Sequence, residues 1–545
     1  MSTSKADVPC SGPCRKRFRP ETVNMNEAAA NALLTSDAVE SGLFWFCPEC
    51  RNQLRLVFPR PASVDHSEFY LPPELWLMIF QMLDEQSLLQ VRLTCPRWKR
   101  IVDQNRSLRE AFTVQIKGAV LDGGNAPQHL YPVSRAFLDD SRIIAVDSWW
   151  PSFGARLTVL DLFNCEVALP NLLGLLRQTP NLTNLFLEHI RYTSVEETIS
   201  ADFRLEKMQY LDSETVFEFF GHIFPRLFKF TKNFPHEEGE DVKMCQFLRP
   251  IQCYIQKLTC PLTSTMVDQM AEMSELHLNS VNNRSEDDSS VKLSRIQPSI
   301  EELTTISTDV NLCEIGSNLK YLKYIAVFVP QSSDDIAFVP SFLTKMKMLK
   351  ELTLIACKGH RLDFGGFKSL SLRGLLIESM CIQSLSMQVF LSNCSNIQDL
   401  QLVDCSLSNW TDLFATKWSS LRCLKLFKID APQTELKPNL KPIPYLNELN
   451  ISNCNIPAEM LKQLVERCPS LTSLKLGEMD TVVDNIVYSL VLLPQLKKLT
   501  IYSCPFITDC FVGVLVIRNP RWHVNIEDCL QISEAARKRL GQLGH

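Results

Sequence analysis

The sequence predicts an α/β solenoid, preceded by a small helical module and by a short cysteine-bearing segment. Three observations predict it. The frame Leu-x-x-Leu-x-Leu-x-x-Cys recurs about every 25 residues in the C-terminal half, with starts at Leu349, Leu372, Ile397, Leu421, Leu446, Leu471, Leu496 and Arg521. A fixed period of this length is the mark of stacked coils, each burying its apolar side against its neighbours. Residues 71–98 read LPPELWLMIFQMLDEQSLLQVRLTCPRW, with apolar side chains at helical spacing. The first sixty residues hold two close cysteine pairs, Cys10 with Cys14 and Cys47 with Cys50.

In chain order, residues 1–58 are the candidate metal-stapled segment. Four thiolates in two pairs suffice for one tetrahedral zinc, which would supply about 10 to 16 kcal/mol of folding free energy where there is little core. A tail bearing chance cysteines is the other reading. Trp45-Phe46-Cys47-Pro48-Glu49-Cys50 resembles the closing knuckle of a PHD-type finger. That resemblance implies Cys10, Cys14, Cys47 and Cys50 as ligands of one structural zinc, the sole cofactor expected. It is partial, because Phe18-Arg19-Pro20 stands where Phe-His-Pro is expected and no cysteine pair precedes Cys10. The run Arg15, Lys16, Arg17, Arg19 reads as a solvated loop, since residues 1–60 carry eight basic and six acidic side chains. Pro59, Pro61 and their polar neighbours mark a linker at 59–67.

Residues 68–112 read as three short helices. Pro72 and Pro73 suit a helix start, where a missing N–H costs nothing, and Leu75, Ile79, Met82 and Leu83 follow at helical spacing. Asp84 can cap a second helix carrying Leu88, Val91 and Cys95, and Pro96 forces a break before a third carrying Trp98, Ile101 and Val102. A unit this small rarely buries enough apolar surface alone. The segment resembles an F-box, whose pattern Leu71, Pro72, Glu74, Ile79, Phe80, Leu83, Leu88, Val91, Cys95 and Trp98 all fit; only Pro96 departs from it. The resemblance implies docking on the small adaptor that links such proteins to a cullin scaffold, through Leu71, Pro72, Glu74, Leu75, Ile79, Phe80, Leu83, Leu88, Val91 and Trp98.

Asp122-Gly123-Gly124-Asn125 reads as a loop within a connector and N-terminal cap at 113–156, where Trp149 and Trp150 are expected to cover the open end of the stack. Repeats then occupy 157–545. The frame is clear at Leu157 and Leu182 and weaker at Met273, Ile300 and Leu319, and residues 205–260 resist registration. Its ninth position is cysteine at Cys165, Cys357, Cys405, Cys454, Cys504 and Cys529, where a small buried side chain is needed as the strand ends. These features resemble cysteine-containing leucine-rich repeats, the horseshoe solenoids that commonly follow an F-box. The acidic stretches 236–241 and 284–290 read as surface loops, with phosphorylation of them the lesser reading.

Composition narrows the function. Twenty cysteines in 545 residues, at least six of them on the frame, argue for a reducing compartment, cytoplasm or nucleus. No signal core or membrane-length apolar run is present, and a net charge of −5 offers no global field for nucleic acid or anionic lipid. No phosphate loop, nucleophile elbow or metalloprotease motif occurs, and His277 and His523 read as exposed strand side chains, so a non-catalytic protein is expected. Strand alternation places the fifth and seventh frame positions on the concave face. Ile355, Glu378, Val403, Lys425, Phe427, Lys475 and Tyr502 are the substrate-binding candidates there. By the resemblance, the chain is a substrate-recognition subunit of an SCF-type cullin ubiquitin ligase, with an unidentified protein as substrate. The alternative is a non-degradative interaction scaffold, chromatin-associated through the N-terminal finger.

Overall fold

The computed structural model describes residues 8–9, 17–18, 71–109, 111–122, 133–145, 149–194, 202–233, 239–330, 337–365, 367–382, 384–414, 418–432, 441–518 and 522–541. The chain divides into two compact units, Met1–Leu108 and Arg109–His545. Of the N-terminal segment, an antiparallel pairing of Val8–Pro9 with Arg17–Phe18 is described; Cys10, Cys14, Cys47 and Cys50 lie outside the described residues.

The first unit holds the three expected helices, α1 (Pro73–Phe80), α2 (Glu85–Thr94) and α3 (Pro96–Gln104). Proline opens α1, and Asp84 Oδ1 accepts the Ser87 N–H at 2.7 Å to open α2. That hydrogen bond holds the Asp84 carboxyl below the usual carboxylate range. Pro96 stops α2, and Cys95 Sγ then accepts the Trp98 N–H at 3.4 Å, so one dipeptide ends α2 and caps α3. Trp76, Phe80 and Trp98 pack ring to ring with centroids 4.7 to 5.6 Å apart, over buried Leu88 and Val102. The Arg92 guanidinium pairs with the Asp103 carboxylate and ties α2 to α3.

The second unit is built on a long parallel sheet and also holds a short one of Val120–Asp122, Arg142–Ala145, Glu166–Val167 and Arg191–Tyr192. The strands of the long sheet are β1 (Thr113–Lys117), β2 (Arg135–Asp139), β3 (Val159–Phe163), β4 (Asn184–Glu188), β5 (Tyr210–Ser213) and β6 (Lys229–Thr231). There follow β7 (Lys257–Thr259), β8 (Ser280–Asn283), β9 (Glu302–Ile306), β10 (Tyr324–Phe328), β11 (Glu351–Leu362) and β12 (Gly374–Ile382). The last six are β13 (Asp399–Val403), β14 (Cys423–Phe427), β15 (Glu448–Ser452), β16 (Ser473–Gly477), β17 (Lys498–Tyr502) and β18 (His523–Glu527). Each pairs in register with the next, and among the described residues the paired rungs run from β1 through to β18. Alternation sets Leu352, Leu375, Leu400, Leu424, Leu449, Leu474 and Leu499 in one buried column, each contributing roughly 1.5–3 kcal/mol of burial.

The chain leaves most strands through a left-handed residue. Asp140, Asn164, His189, Ser379, Asp404, Lys428, Asn453, Glu478, Ser503 and Asp528 all have φ between 50° and 61°. Their N–H groups continue the ladder past the strand, as where Asn453 donates to Gly477 C=O at 3.0 Å and Glu478 to Tyr502 C=O at 3.0 Å. The frame cysteine follows that residue. Cys454 Sγ donates to Ser452 C=O at 3.2 Å and to Leu426 C=O one coil back at 3.5 Å, and Cys405 repeats the geometry at 3.2 and 3.5 Å. Burial pushes both thiols up to about 11, so they stay protonated donors.

Several expectations are corrected. Cys357 is exposed, unlike the other five frame cysteines: between Ile355↔Glu378 and His360↔Met380, β11 spends four residues where β12 spends one. Gly359, at φ 103°, turns that insertion, and His360 takes the rung meant for the cysteine. The frames at Met273 and Leu319 are misplaced; Leu278-x-x-Val281-x-Asn283 and Leu322-x-x-Ile325-x-Val327 are the coils that pair in the sheet. His277 accordingly lies before β8 rather than on a strand, whereas His523 is an exposed strand residue as expected.

The stretch 205–260 resisted registration because its sixth frame position is polar. Ser213 and Lys232 stand there with Cys260, all buried, and buried Asn283 and Thr305 continue the polar run over the next two coils. Each polar group finds a partner: Lys232 Nζ donates to Glu214 C=O at 2.6 Å and pairs with Glu240 at 3.2 Å, and Asn283 Oδ1 accepts the Leu262 N–H at 2.9 Å.

Residues 113–156 are more than connector and cap, since β1 and β2 lie in them. Trp150 is fully buried in a coil, its Nε1–H donating to Leu175 C=O at 3.1 Å, with Trp149 buried beside it; neither covers a sheet end. Residues 284–288 form a mostly exposed loop as expected, but the last two residues of the 284–290 stretch do not. Ser289 and Ser290 are buried at the start of a helix and receive the Asn283 amide at 2.9 and 2.8 Å. At 236–241, Gly239 precedes a helix spanning Glu240–Leu248 and residues 236–238 lie outside the described residues.

Candidate functional site

Two surfaces, one on each unit, present apolar side chains in ordered arrays. In the helical unit, α1 is apolar apart from Glu74 in its first turn. Trp76 and Phe80 turn into the ring cluster, while Leu71, Leu75, Met78, Ile79 and Met82 recur at helical spacing along the opposite side and are exposed, Met78 to 62% and Met82 to 86%. A short helix with a second apolar stripe leaves part of its hydrophobic surface in water. Of the ten adaptor-contact candidates, Leu71, Pro72, Glu74, Leu75 and Ile79 are exposed, Leu83, Val91 and Trp98 are half-buried, and Phe80 and Leu88 are buried in the unit's own core. Met78 and Met82 complete the stripe; in the sequence, the apolar run Leu75–Phe80, broken by no charge, was the sign of it.

On the solenoid, the seventh-position residues stand side by side. Ile355, Glu378, Val403 and Phe427 occupy successive rungs of β11 to β14, all half-buried, and Tyr502 lies three rungs beyond. Phe328 and Ile306 extend the apolar strip onto β10 and β9. Misplacement of the Leu319 frame hid Phe328. Lys425 and Lys475 flank Asn450 on the fifth-position column, and Lys425 lies 3.9 Å from Glu448. Tyr502 is not a free side chain. Its ring lies over Gly477, its hydroxyl donates to Ser452 Oγ at 2.7 Å, and Lys475 Nζ sits 4.8 Å from its centroid. Ser452 and Gly477, although they point outward, are therefore buried.

The same face carries a second cluster on β2 to β5 that sequence reasoning missed. Phe137, Phe163, Phe186 and Tyr210 stand among Asp161, Glu188 and Asp212. Burial pushes the Asp161 carboxyl up to about 6, with Glu188 and then Asp212 adding to the rise against the opposing Arg135. Asp212 is raised as well, chiefly by burial, while Tyr210 donates to it at 2.9 Å.

A hollow of about 490 Å³ at the ends of β13 to β16 is lined by Asp404, Lys428, Asp430, Asn453, Asn455 and Glu478. Within it Lys428 pairs with Asp404 at 3.4 Å, and Asn455 Oδ1 accepts the Trp410 Nε1–H at 3.1 Å. Among the described residues, no three His, Cys, Asp or Glu side chains gather as metal ligands, and no helix is long and apolar enough to cross a membrane.

Comparison with known proteins agrees with this division. Residues 69–113 match the F-box-like family, and residues 395–512 match the LRR repeats of FBD-associated F-box protein At5g56370. The chain thus carries an F-box-like domain followed by leucine-rich repeats. No curated protein matches it. Among solved structures, the TLR13–ssRNA13 complex is similar at 12% identity and TM-score 0.40, covering 78% of this chain and 75% of that one. An internalin, InlF of Listeria monocytogenes, is 16% identical at TM-score 0.31, covering 69% and 88%, and the Rad7 and Elc1 complex of yeast is 13% identical at 0.31, covering 80% and 89%. At these scores the likenesses carry no weight beside the strand ladder itself.

Proposed function

We propose that the chain is the substrate-recognition subunit of an SCF-type cullin ubiquitin ligase. The observation that carries this reading is the exposed stripe of Leu71, Leu75, Met78, Ile79 and Met82, on a unit that matches the F-box-like family. Covered by an adaptor, that stripe would complete a core too small to stand alone. The apolar strip from Ile306 to Phe427, flanked by Lys425 and Lys475, would hold the protein substrate. The subunit forms no bond itself. By holding substrate and adaptor together it raises the effective concentration of substrate lysines near a ubiquitin-loaded enzyme.

The test is affinity purification of the intact chain beside Leu75→Glu with Met82→Glu. Adaptor and cullin should co-purify with the parent and vanish from the variant, with the helical signal unchanged. Retention of both by the variant would sink the assignment. We also propose that Cys10, Cys14, Cys47 and Cys50 hold one structural zinc and that the protein works in cytoplasm or nucleus. The metal content of the purified chain, compared with that of Cys47→Ser, decides the first point, and imaging of the tagged chain the second.

A further inference from the structure

The rim where β10, β11 and β12 begin carries a charge that the whole chain does not. Residues 320–373 hold nine lysines and arginines against four aspartates and glutamates, in a protein of net charge −5. The topology gathers the positive ones. Lys350 N–H donates to Lys323 C=O at 2.8 Å and Arg373 N–H to Lys350 C=O at 2.7 Å, so the three stand on successive rungs about 4.8 Å apart. In the turns just before, Lys320 and Lys347 are exposed. Lys323 is neutralised by Glu301 at 2.6 Å, whereas Lys320, Lys347, Lys350 and Arg373 have no ion-pair partner among the described residues. The patch is bounded, because the rung before it is Glu301 and the rung after it Gln398.

The same turns expose apolar side chains, Tyr321 to 64%, Met348 to 49% and Leu370 to 76%. Tyr321 adjoins Lys320 in the chain and Met348 adjoins Lys347, so cation and apolar group alternate. Each rewards a different kind of contact. The cations repel one another until an anion arrives, and the apolar groups gain roughly 25 cal/mol per Å² only when something apolar covers them.

We propose that this rim is a docking surface for an acidic protein segment in which Asp or Glu alternates with apolar residues. Charge complementarity selects the sign, and the interleaving selects the class. A nucleic-acid backbone would answer the lysines but leave Met348 and Leu370 in water, and a lone Tyr321 is too little for base stacking. Most of the cations are lysines, point charges without the planar fork that favours bidentate phosphate. A membrane surface is best met by apolar side chains grouped on a face of their own, not set singly between cations. The surface lies on the strand-start rim, apart from the concave column proposed for substrate, and does not depend on that reading.

Fluorescence anisotropy with the intact protein tests it. The probe is a labelled peptide alternating Glu with Leu, compared with its Gln-for-Glu counterpart, a single-stranded RNA oligomer and phosphatidylserine vesicles. The Glu peptide should bind in a salt-sensitive way. K347E with K350E and R373E should weaken it by about tenfold or more, and M348S with L370S by about threefold, with thermal melts unchanged because all five side chains are exposed. Should the triple charge reversal disturb the melt, K320Q with K347Q gives the same reading with a smaller loss. Equal binding of the Gln peptide, or parent-like binding by the charge-reversed protein, would overturn the proposal. Tighter binding of RNA or vesicles than of the Glu peptide, abolished by the same substitutions, would overturn the choice of partner.

Discussion

Gly477 is the residue where a single atom decides local architecture. Tyr502 lies across it to reach Ser452, so a methyl at 477 would overlap the ring. Gly477→Ala should cost about 1–3 kcal/mol by overpacking and detach the hydroxyl from Ser452. Adding Tyr502→Ala should return much of that loss, and a double-mutant cycle by denaturant unfolding measures the coupling. Asp161 makes the second prediction at this scale. Its folded pKa, about 6, stands above the ordinary aspartate value of 3.8, so between those values the native state binds more protons than the unfolded chain. Its contribution is therefore most favourable at low pH and is lost as pH rises through about 6. Asp161→Asn should raise the melting temperature at pH 7, by an increment of about 1 kcal/mol after allowance for solvent screening, and change little below pH 4. A parent and variant that melt alike at pH 7 would refute it.

At the scale of the element, α1 serves two surfaces, and substitutions on its two sides should part company. Trp98 closes the ring cluster with Trp76 and Phe80. Trp98→Ala should unfold the helical unit, at a cost of about 3–5 kcal/mol, and expose residues 71–109 to proteolysis. Leu75→Glu with Met82→Glu should leave that segment as protected as in the parent. Adaptor binding alone cannot separate the two, because both variants should lose it; the protease digest can. The elements also show where a strand frame can slip. Met273, Leu276 and Leu278 are all buried and mimic the frame, yet the rung that pairs is Val281. An apolar residue in a buried turn looks the same in sequence as one in a strand, and only pairing with the neighbour separates them.

For the molecule as a whole, the sheet alternates two ways of leaving a strand. β2 to β4 and β13 to β18 exit through left-handed residues, and β12 holds one at Ser379 within it, whereas the turns after β6 and β8 are satisfied by the buried side chains of Lys232 and Asn283. The described cysteines, all unpaired, report on this packing. Burial pushes the Cys468 thiol up to about 12 and Cys504 to about 11, while Cys253, Cys357 and Cys510 are exposed. Alkylation of the native protein followed by mass spectrometry should modify Cys253, Cys357 and Cys510 first, and Cys454 and Cys468 only on denaturation. Early labelling of Cys454 would mean that the coils do not stack as described.

Much of this architecture was legible in one dimension because stacking makes sequence period and structure period the same. Leu349 to Leu496 fall on buried rungs, and Ile355, Glu378, Val403 and Phe427 fall on one face, since a 25-residue period with apolar alternation admits no other parallel arrangement. The three helices were legible from Pro72, Asp84 and Pro96, whose effects are local. What tertiary structure decided was every relation between coils. It buried Ser452 under Tyr502 and Ser290 under Asn283, exposed Cys357 by a three-residue insertion in β11, and set Lys323, Lys350 and Arg373 on adjacent rungs although more than twenty residues separate each from the next. A side chain's own neighbours in sequence fix its secondary structure, but its exposure and its field are fixed by the coil above and the coil below.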